Sequence, residues 1–258
     1  TSLRNVPERH RSLQAVFEQS WQMMSEREQA VFQRLSVFRG GFEREAAEQV
    51  AGATLPVLSG LVDKSLLRQD NSRRYRIHEL LRQYAEDRLQ AGAETHNRHG
   101  AYYAEQAHRR TQAQHSGQQV QSSRWIAAEL ENIRAAWYWA LSNRRYDAVR
   151  KIGLAFNVFL DFQSRYQEGA ALFQDALEAL QAGAEQAGGE WGLTLAEMLV
   201  YQGWLSIRLG KISEARRLFE ESLATYQRQD LTPQTGYATD PLAGLGLVDV
   251  ILGDYPQG

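Results

Sequence analysis

The sequence predicts a mainly α-helical protein with one small β-hairpin, organised as a compact helical domain that ends in the hairpin, then an α-solenoid of helix pairs. Three observations predict it. Apolar residues recur at three- and four-residue spacing along most of the chain, as in Leu13, Val16, Phe17 and Met24, the period of a helix with one buried face. Only the stretch from Leu66 to Ile77 departs from it: Tyr75 and Ile77 point one way, Arg74 and Arg76 the other, the period-two alternation of a strand. Beyond Glu94 the chain resembles itself at long intervals. "RYQEGAALFQDAL" (Arg165–Leu177) aligns on "KISEARRLFEESL" 46 residues later, and "GWLSIRLGKI" (Gly203–Ile212) on "GLVDVILGDY" 43 residues later. Self-similarity of this kind marks stacked supersecondary units.

Each element follows from local chemistry. A first helix is expected over Arg11 to Met24. Ser25 and Glu28 form a capping box, the serine accepting from an early backbone N–H and the glutamate reaching back to the serine N–H, so a second helix runs from about Glu26 to Val37. Gly40-Gly41 stops it, and a third, short helix begins near Glu43. "ATLPVLSGLVDKSLL" makes a fourth, with Pro56 tolerated in the first turn, where its N–H would lack an intrahelical partner. "LLRQ" and "RRYRI" around "DNS" then form a hairpin, which passes into another helix at His78. Helices followed by a two-stranded wing are the order of a winged-helix domain, expected over residues 1–92. Residues 93–258 contain no strand signal and are expected to be helical throughout.

Composition narrows the function. The chain of 258 residues has a formal net charge of −2, which removes any global argument for a polyanionic partner. Cysteine is absent, excluding disulfide scaffolds, thiolate metal sites and cysteine nucleophiles. Apolar runs such as "LGLVDVIL" fall far short of the roughly 20 residues that span a bilayer, and no signal peptide is visible, so a cytoplasmic location without membrane contact is expected. The abrupt opening "TSLRNVPERH" and the close at "ILGDYPQG" suggest a piece of a longer chain.

The repeats resemble the tetratricopeptide (TPR) pattern. The clearest copy reads Gly203, Gly210, Ala215, Phe219 and Ser222, and the preceding copy Asn157, Ser164, Gly169, Phe173 and Ala176: a helix-crossing position, a turn, then small, Phe, small. Small residues are needed where helix axes approach closely. The offsets exceed the usual TPR period, so extra linkers are placed at "QAGAEQAGGE" and "RQDLTPQTGY". Stacked helix pairs create a concave binding face, and Glu197, Val200, Trp204, Ile207 and Arg208 are expected to line that groove. Trp204 beside Arg208 would make an anchor pair, although Trp204 equally suits packing on a neighbouring repeat.

The first domain is similar to the winged-helix domain of bacterial STAND proteins, the signal-transduction ATPases with numerous domains, in their NB-ARC/AfsR-like branch. "SLQAVFEQSW", "RLSVFRGGF", "EAAEQV", "LVDKSLL" and "RQYAEDRL" occur in that family's order, and "AELENIRAAWYWAL" resembles the helix that opens the sensor. The resemblance implies a regulatory protein in which TPR-like repeats sense a protein or small ligand. The winged helix relays that event to an upstream nucleotide-binding domain of the same protein, and activation can involve oligomerisation. It also gives His78 a role. In the family a Met-His-Asp motif ends the hairpin and its histidine contacts the β-phosphate of ADP; here the positions are Ile77, His78 and Glu79. An imidazole N–H and a helix start both suit a phosphate.

No Gly-x-x-x-x-Gly-Lys-[Ser/Thr] loop occurs in the chain. No cofactor and no enzymatic turnover are therefore expected here, while ADP or ATP with magnesium is expected in the intact protein, with the hydrolytic machinery N-terminal to Thr1. Two other readings fit the same residues. Direct DNA binding, as by a transcriptional regulator, is disfavoured because the fourth helix offers only Lys64 against Asp63, although the wing holds Arg68, Arg73, Arg74 and Arg76. A plain protein-interaction scaffold is the other. "HNRH" places His96 and His99 at the spacing of two metal ligands, but no third ligand is in place, and a solvated helix face is expected.

Overall fold

The computed structural model describes residues 17–112, 119–182, 189–232 and 239–253. The chain divides into two compact units, residues 1–102 and 103–258, and the division falls inside a helix.

The described part of the first unit begins with a helical stretch over residues 17–22 (α1), which stops short of the expected end at Met24; residues 11–16 of the expected first helix lie outside the described residues. Helix α2 (Glu26–Leu35) starts at the capping box: the Ser25 hydroxyl accepts from Glu28 N–H and the Glu28 carboxylate accepts from Ser25 N–H at 2.8 Å. Helix α3 (Arg44–Ala51) ends on Gly52, whose φ of 67° is the left-handed conformation a glycine cap adopts without strain. Helix α4 (Leu55–Asp63) carries Pro56 in its first turn. Strands β2 (Arg68–Gln69) and β3 (Tyr75–Arg76) form the expected wing, and α5 (Glu79–Glu86) follows from His78.

One strand is additional to the expected hairpin. Gly41–Phe42 forms β1, so the sheet has three antiparallel strands in the order β1-β3-β2, with Phe42 opposite Tyr75 and Gly41 opposite Arg76. Two residues are too few to alternate visibly, and Gly40-Gly41 by itself signals only a helix stop. The pairing delivers Phe42 to the core, fully buried and stacked on Phe38 at 4.4 Å. Val31, Phe32, Leu35, Val50, Leu58 and Leu61 complete this core, each large side chain contributing about 1.5–3 kcal/mol by burial.

Helix α6 (Gly92–Gln112) spans the division. The second unit continues with α7 (Gln119–Ser142), α8 (Tyr146–Phe162), α9 (Tyr166–Ala182), α10 (Gly189–Arg208), α11 (Ile212–Arg228) and α12 (Pro241–Leu252). The two expected linkers lie largely outside the described residues. Four of these helices end in the same way. After α7, α8, α10 and α11, one residue adopts a left-handed conformation: Arg144 (φ 54°), Ser164 (55°), Gly210 (75°) and Asp230 (52°). The next N–H then bonds to the carbonyl five residues back, at 2.8–3.0 Å. This is the Schellman motif, which satisfies orphan carbonyls while reversing the chain, and it makes the antiparallel pairs uniform.

Small residues let the helices approach. A Cβ on Gly153 would stand 2.8 Å from Met198, on Gly169 2.8 Å from Leu205, and on Gly203 2.6 Å from Phe219. Ala176, Ala215 and Ser222 are fully buried, and the Ser222 hydroxyl donates to Ala196 O at 2.9 Å. Of the residues matching the repeat pattern, Gly169, Phe173, Ala176, Gly203, Ala215, Phe219 and Ser222 are thus contact residues of the stack, while Ser164 and Gly210 make the exposed turns. Gly246, aligned with Gly203 by sequence, is exposed, and Gly244 takes the position against Phe219 instead.

Candidate functional site

Two places in the chain gather functional groups, one in each unit.

In the first unit the strand β3 hands the chain to α5 at His78. The backbone there is extended (φ −65°, ψ 138°), and Nδ1 accepts from Leu80 N–H at 3.3 Å, so His78 is the N-cap of α5. With Nδ1 placed as the acceptor, Nε2 is the ring position left to donate, and the residue is exposed. The joint is braced from behind by Arg82, nearly buried, whose guanidinium donates to both oxygens of Glu79 (2.8 and 2.9 Å), to Glu86 (2.7 Å) and to Ser36 O (3.1 Å). Arg39 adds bonds to Glu86 and Ser36 O, both 2.8 Å. The Arg82 bonds hold the Glu79 carboxyl down at about 2. The carboxylate that stands third in Ile77-His78-Glu79 is therefore engaged as the partner of Arg82.

The basic residues of this unit divide into two groups. Lys64, at the end of α4, is paired with Glu28 at 2.7 Å. Arg74 donates to Gly41 O at 2.8 Å and reaches Glu43 at 3.5 Å, tying the wing to β1. Arg68 and Arg76 stand directly opposite each other on β2 and β3, both exposed, with Asp70 3.4 Å from Arg76. Like charges directly opposite are unfavourable. Arg73, exposed, holds the turn at φ 62°.

The solvated face expected for "HNRH" is not found. His99 is 2% exposed and packs edge-on against Phe38 at 5.4 Å. His96 is also partly buried, and burial together with the charge of Arg39 pushes its pKa down. The apolar face of α6, not its polar sequence flanks, decides where these rings go. Among the described residues no group of three potential metal ligands occurs.

In the second unit the residues expected to line an open groove are mostly inside the stack. Val200 is fully buried in a cluster with Ala215, Phe219 and Val248. Trp204 and Ile207 pack against that cluster, Trp204 edge-on to Phe219 at 5.4 Å. Arg208 forks onto Asp161 at 2.8 and 3.2 Å. The reason is that α11 and α12 cover this face of α10, and a stripe selected by helical period marks a packed face as readily as an open one.

Glu197 is the exception. Only 4% exposed, it accepts no hydrogen bond among the described residues, and burial pushes its carboxyl up to about 7 against the opposing charge of Arg150. Tyr201, one turn on, and Tyr226 of α11 are 0% and 1% exposed. Neither hydroxyl has a hydrogen-bond partner among the described residues, and burial raises both phenols. Arg150 of α8 is nearby, its guanidinium at Thr194 Oγ1 (3.3 Å) and Glu190 O (3.5 Å). Sequence reasoning missed the two tyrosines; the available signal was one acid inside the apolar run "TLAEMLVYQGWL".

Residues 24–90 match the winged helix-turn-helix domain family. Proteins named as HTH-type transcriptional regulators in Mycobacterium bovis and in two strains of Mycobacterium tuberculosis are 31% identical over an alignment of 189 residues that covers 68% of this chain. The chain spans about a fifth (21%) of the length of these curated relatives. The crystal structure of a STAND protein with a tetratricopeptide repeat sensor from Pyrococcus horikoshii aligns over 94% of this chain and 37% of its own, with a TM-score of 0.43 and 16% identity. No described helix is long and apolar enough to cross a membrane. Matched by its family and built from α2 to α5 around a three-stranded sheet, the segment from residue 24 to 90 is a winged helix-turn-helix domain, and helical repeats follow it in the chain.

Proposed function

We propose that this chain is the relay and sensor part of a cytoplasmic STAND-type regulator of the NB-ARC/AfsR-like kind. In this reading the repeats take up a protein or small ligand, and the winged helix passes the event to an ADP/ATP switch domain elsewhere in the intact protein, where nucleotide and magnesium are held. The chain itself supplies no turnover. The observation that supports it most directly is the capping geometry of His78: with Nδ1 engaged on Leu80 N–H, the exposed ring has Nε2 left to donate at a helix start, where a phosphate oxygen is favourably bound. A ligand on the repeats moves such a switch only by favouring one state over the other. The test is nucleotide content of the full-length protein. His78→Ala should purify with less ADP and show higher basal output; unchanged ADP retention removes His78 from the mechanism.

A second reading, direct DNA contact through the wing, is favoured by the exposed Arg68 and Arg76 pair and by the names of the mycobacterial relatives. Against it, Lys64 and Arg74 are engaged within the domain. A salt-dependent shift of a random duplex that is lost in Arg68→Ala/Arg76→Ala would establish this alternative; no shift at low salt would dismiss it.

A further inference from the structure

We propose that Glu197, Tyr201 and Tyr226 form the polar wall of a binding site inside the helical repeats for a small molecule that carries a protonated amine. The proposal rests on the reading of the repeats as a sensor and names the class of molecule sensed.

Glu197 and Tyr201 lie four residues apart on α10 and share one face. The bond from Ser222 Oγ to Ala196 O sets α11 against this part of α10, and Tyr226 follows Ser222 by one turn. Three polar side chains from two helices are thus brought together, each more than nine-tenths buried; the Tyr201 and Tyr226 hydroxyls have no hydrogen-bond partner among the described residues, and Glu197 has only the charge of Arg150 opposite it. Buried polar atoms normally find partners, and exceptions call for a specific cause. The groups facing Glu197 are Arg150 from α8, Tyr201 on its own helix, Tyr226 from α11 and, facing Tyr226 in turn, Asp240 at the start of α12.

The chemistry of the wall selects the ligand. An ammonium has three N–H donors and no acceptor, matching one carboxylate and two phenol oxygens. The rings of Tyr201 and Tyr226 belong to the same wall, and alkylammonium groups are attracted to aromatic faces. An anion would meet the Glu197 carboxylate. A neutral alcohol would add no charge opposite Glu197 beyond that of Arg150. Because burial raises the Glu197 carboxyl and a bound cation would lower it again, amine binding should strengthen from pH 6 to pH 8.

The experiment is calorimetric titration and thermal denaturation of this 258-residue chain with n-butylamine and 1,4-diaminobutane. n-Butanol and butyrate serve as neutral and anionic controls at equal ionic strength. The amines should bind and raise the melting temperature while the controls do not. Glu197→Gln should weaken amine binding by about tenfold or more, the loss of a charge-assisted bond, and Tyr226→Phe by a smaller factor. Both variants remove only unmatched polar character, so they should fold. Absence of amine binding, equal response to butanol, or undiminished binding by Glu197→Gln would each overturn the proposal. None of these measurements reads the nucleotide switch, so their failure leaves the relay reading standing. Likewise, unchanged ADP retention in His78→Ala would leave amine binding untouched.

Discussion

Gly203 on α10 lies so close to Phe219 on α11 that a Cβ would stand 2.6 Å from Cε1 of the ring. Phe219 is fully buried, and Gly244 of α12 approaches the same ring to a similar distance, 2.5 Å for its Cβ. The ring therefore sits between two helices that both depend on hydrogen as the side chain. Gly203→Ala should cost about 1–3 kcal/mol by overpacking. Gly246→Ala, at an exposed helical position with no atom within 4 Å of the new methyl, should instead gain about 0.5–1 kcal/mol from helix propensity. Urea midpoints of the two variants should move in opposite directions, and a shared direction would show that the crossing is looser than the geometry requires.

The turns between repeats carry a second contrast. Ser164 and Gly210 hold equivalent left-handed positions, at φ 55° and 75°. An L-residue pays a steric penalty there because its Cβ crowds the following carbonyl. Ser164→Gly should therefore stabilise by about 0.5–1 kcal/mol, and Gly210→Ala should destabilise by about 1 kcal/mol. Thermal melts decide it: a lower melting temperature for Ser164→Gly would mean that the serine side chain contributes more than its backbone strain removes.

Much of this architecture was legible in the sequence because its signals are local. Ser25 and Glu28 specify their cap within four residues, Pro56 fits only the first turn of α4, and Tyr75 alternates with Arg74 and Arg76. The repeat pattern was legible for a related reason: Gly203, Ala215, Phe219 and Ser222 are small or aromatic because they touch one another. What escaped depends on partners distant in sequence. β1 is defined only by β3, more than thirty residues later. The burial of Val200 is imposed by Ala215 and Val248 on other helices, and His99 is drawn inward by Phe38. Tyr201 and Tyr226 became a site only once α11 lay against α10.

Arg82 offers a test of the joint that carries His78. Its side chain is 10% exposed and bonds at once to Glu79, Glu86 and Ser36 O, so it fixes α5 to the end of α2. Arg82→Ala should cost about 2–3 kcal/mol, discounted because Glu79 is largely solvated. Arg82→Lys should recover less than half, since an ammonium cannot make the same forked contacts. The Glu79 carboxyl, at about 2 in the fold against an ordinary 4.5, gives a second readout. A depressed acid contributes stability fully above pH 4.5 and loses it as the pH falls toward 2. In Arg82→Ala its titration, followed by NMR, should return toward the ordinary value; an unmoved Glu79 would contradict the bonding described.

Glu197 has the opposite sign. Its carboxyl rises from an ordinary 4.5 to about 7 on folding, so the folded chain holds a proton that the unfolded chain has released. Below pH 4.5 both states are protonated and the full stability is present. Between pH 4.5 and 7 stability falls, by about 1.4 kcal/mol per pH unit at most, and above 7 it levels off some 3 kcal/mol lower. Glu197→Gln is neutral throughout and should lose this slope, becoming the more stable protein at pH 8 while differing little at pH 5. Urea denaturation of both proteins at pH 5, 6, 7 and 8 measures it directly. Parallel profiles would mean that the carboxylate is already matched when ionised, and would remove the electrostatic reason for an amine to bind there.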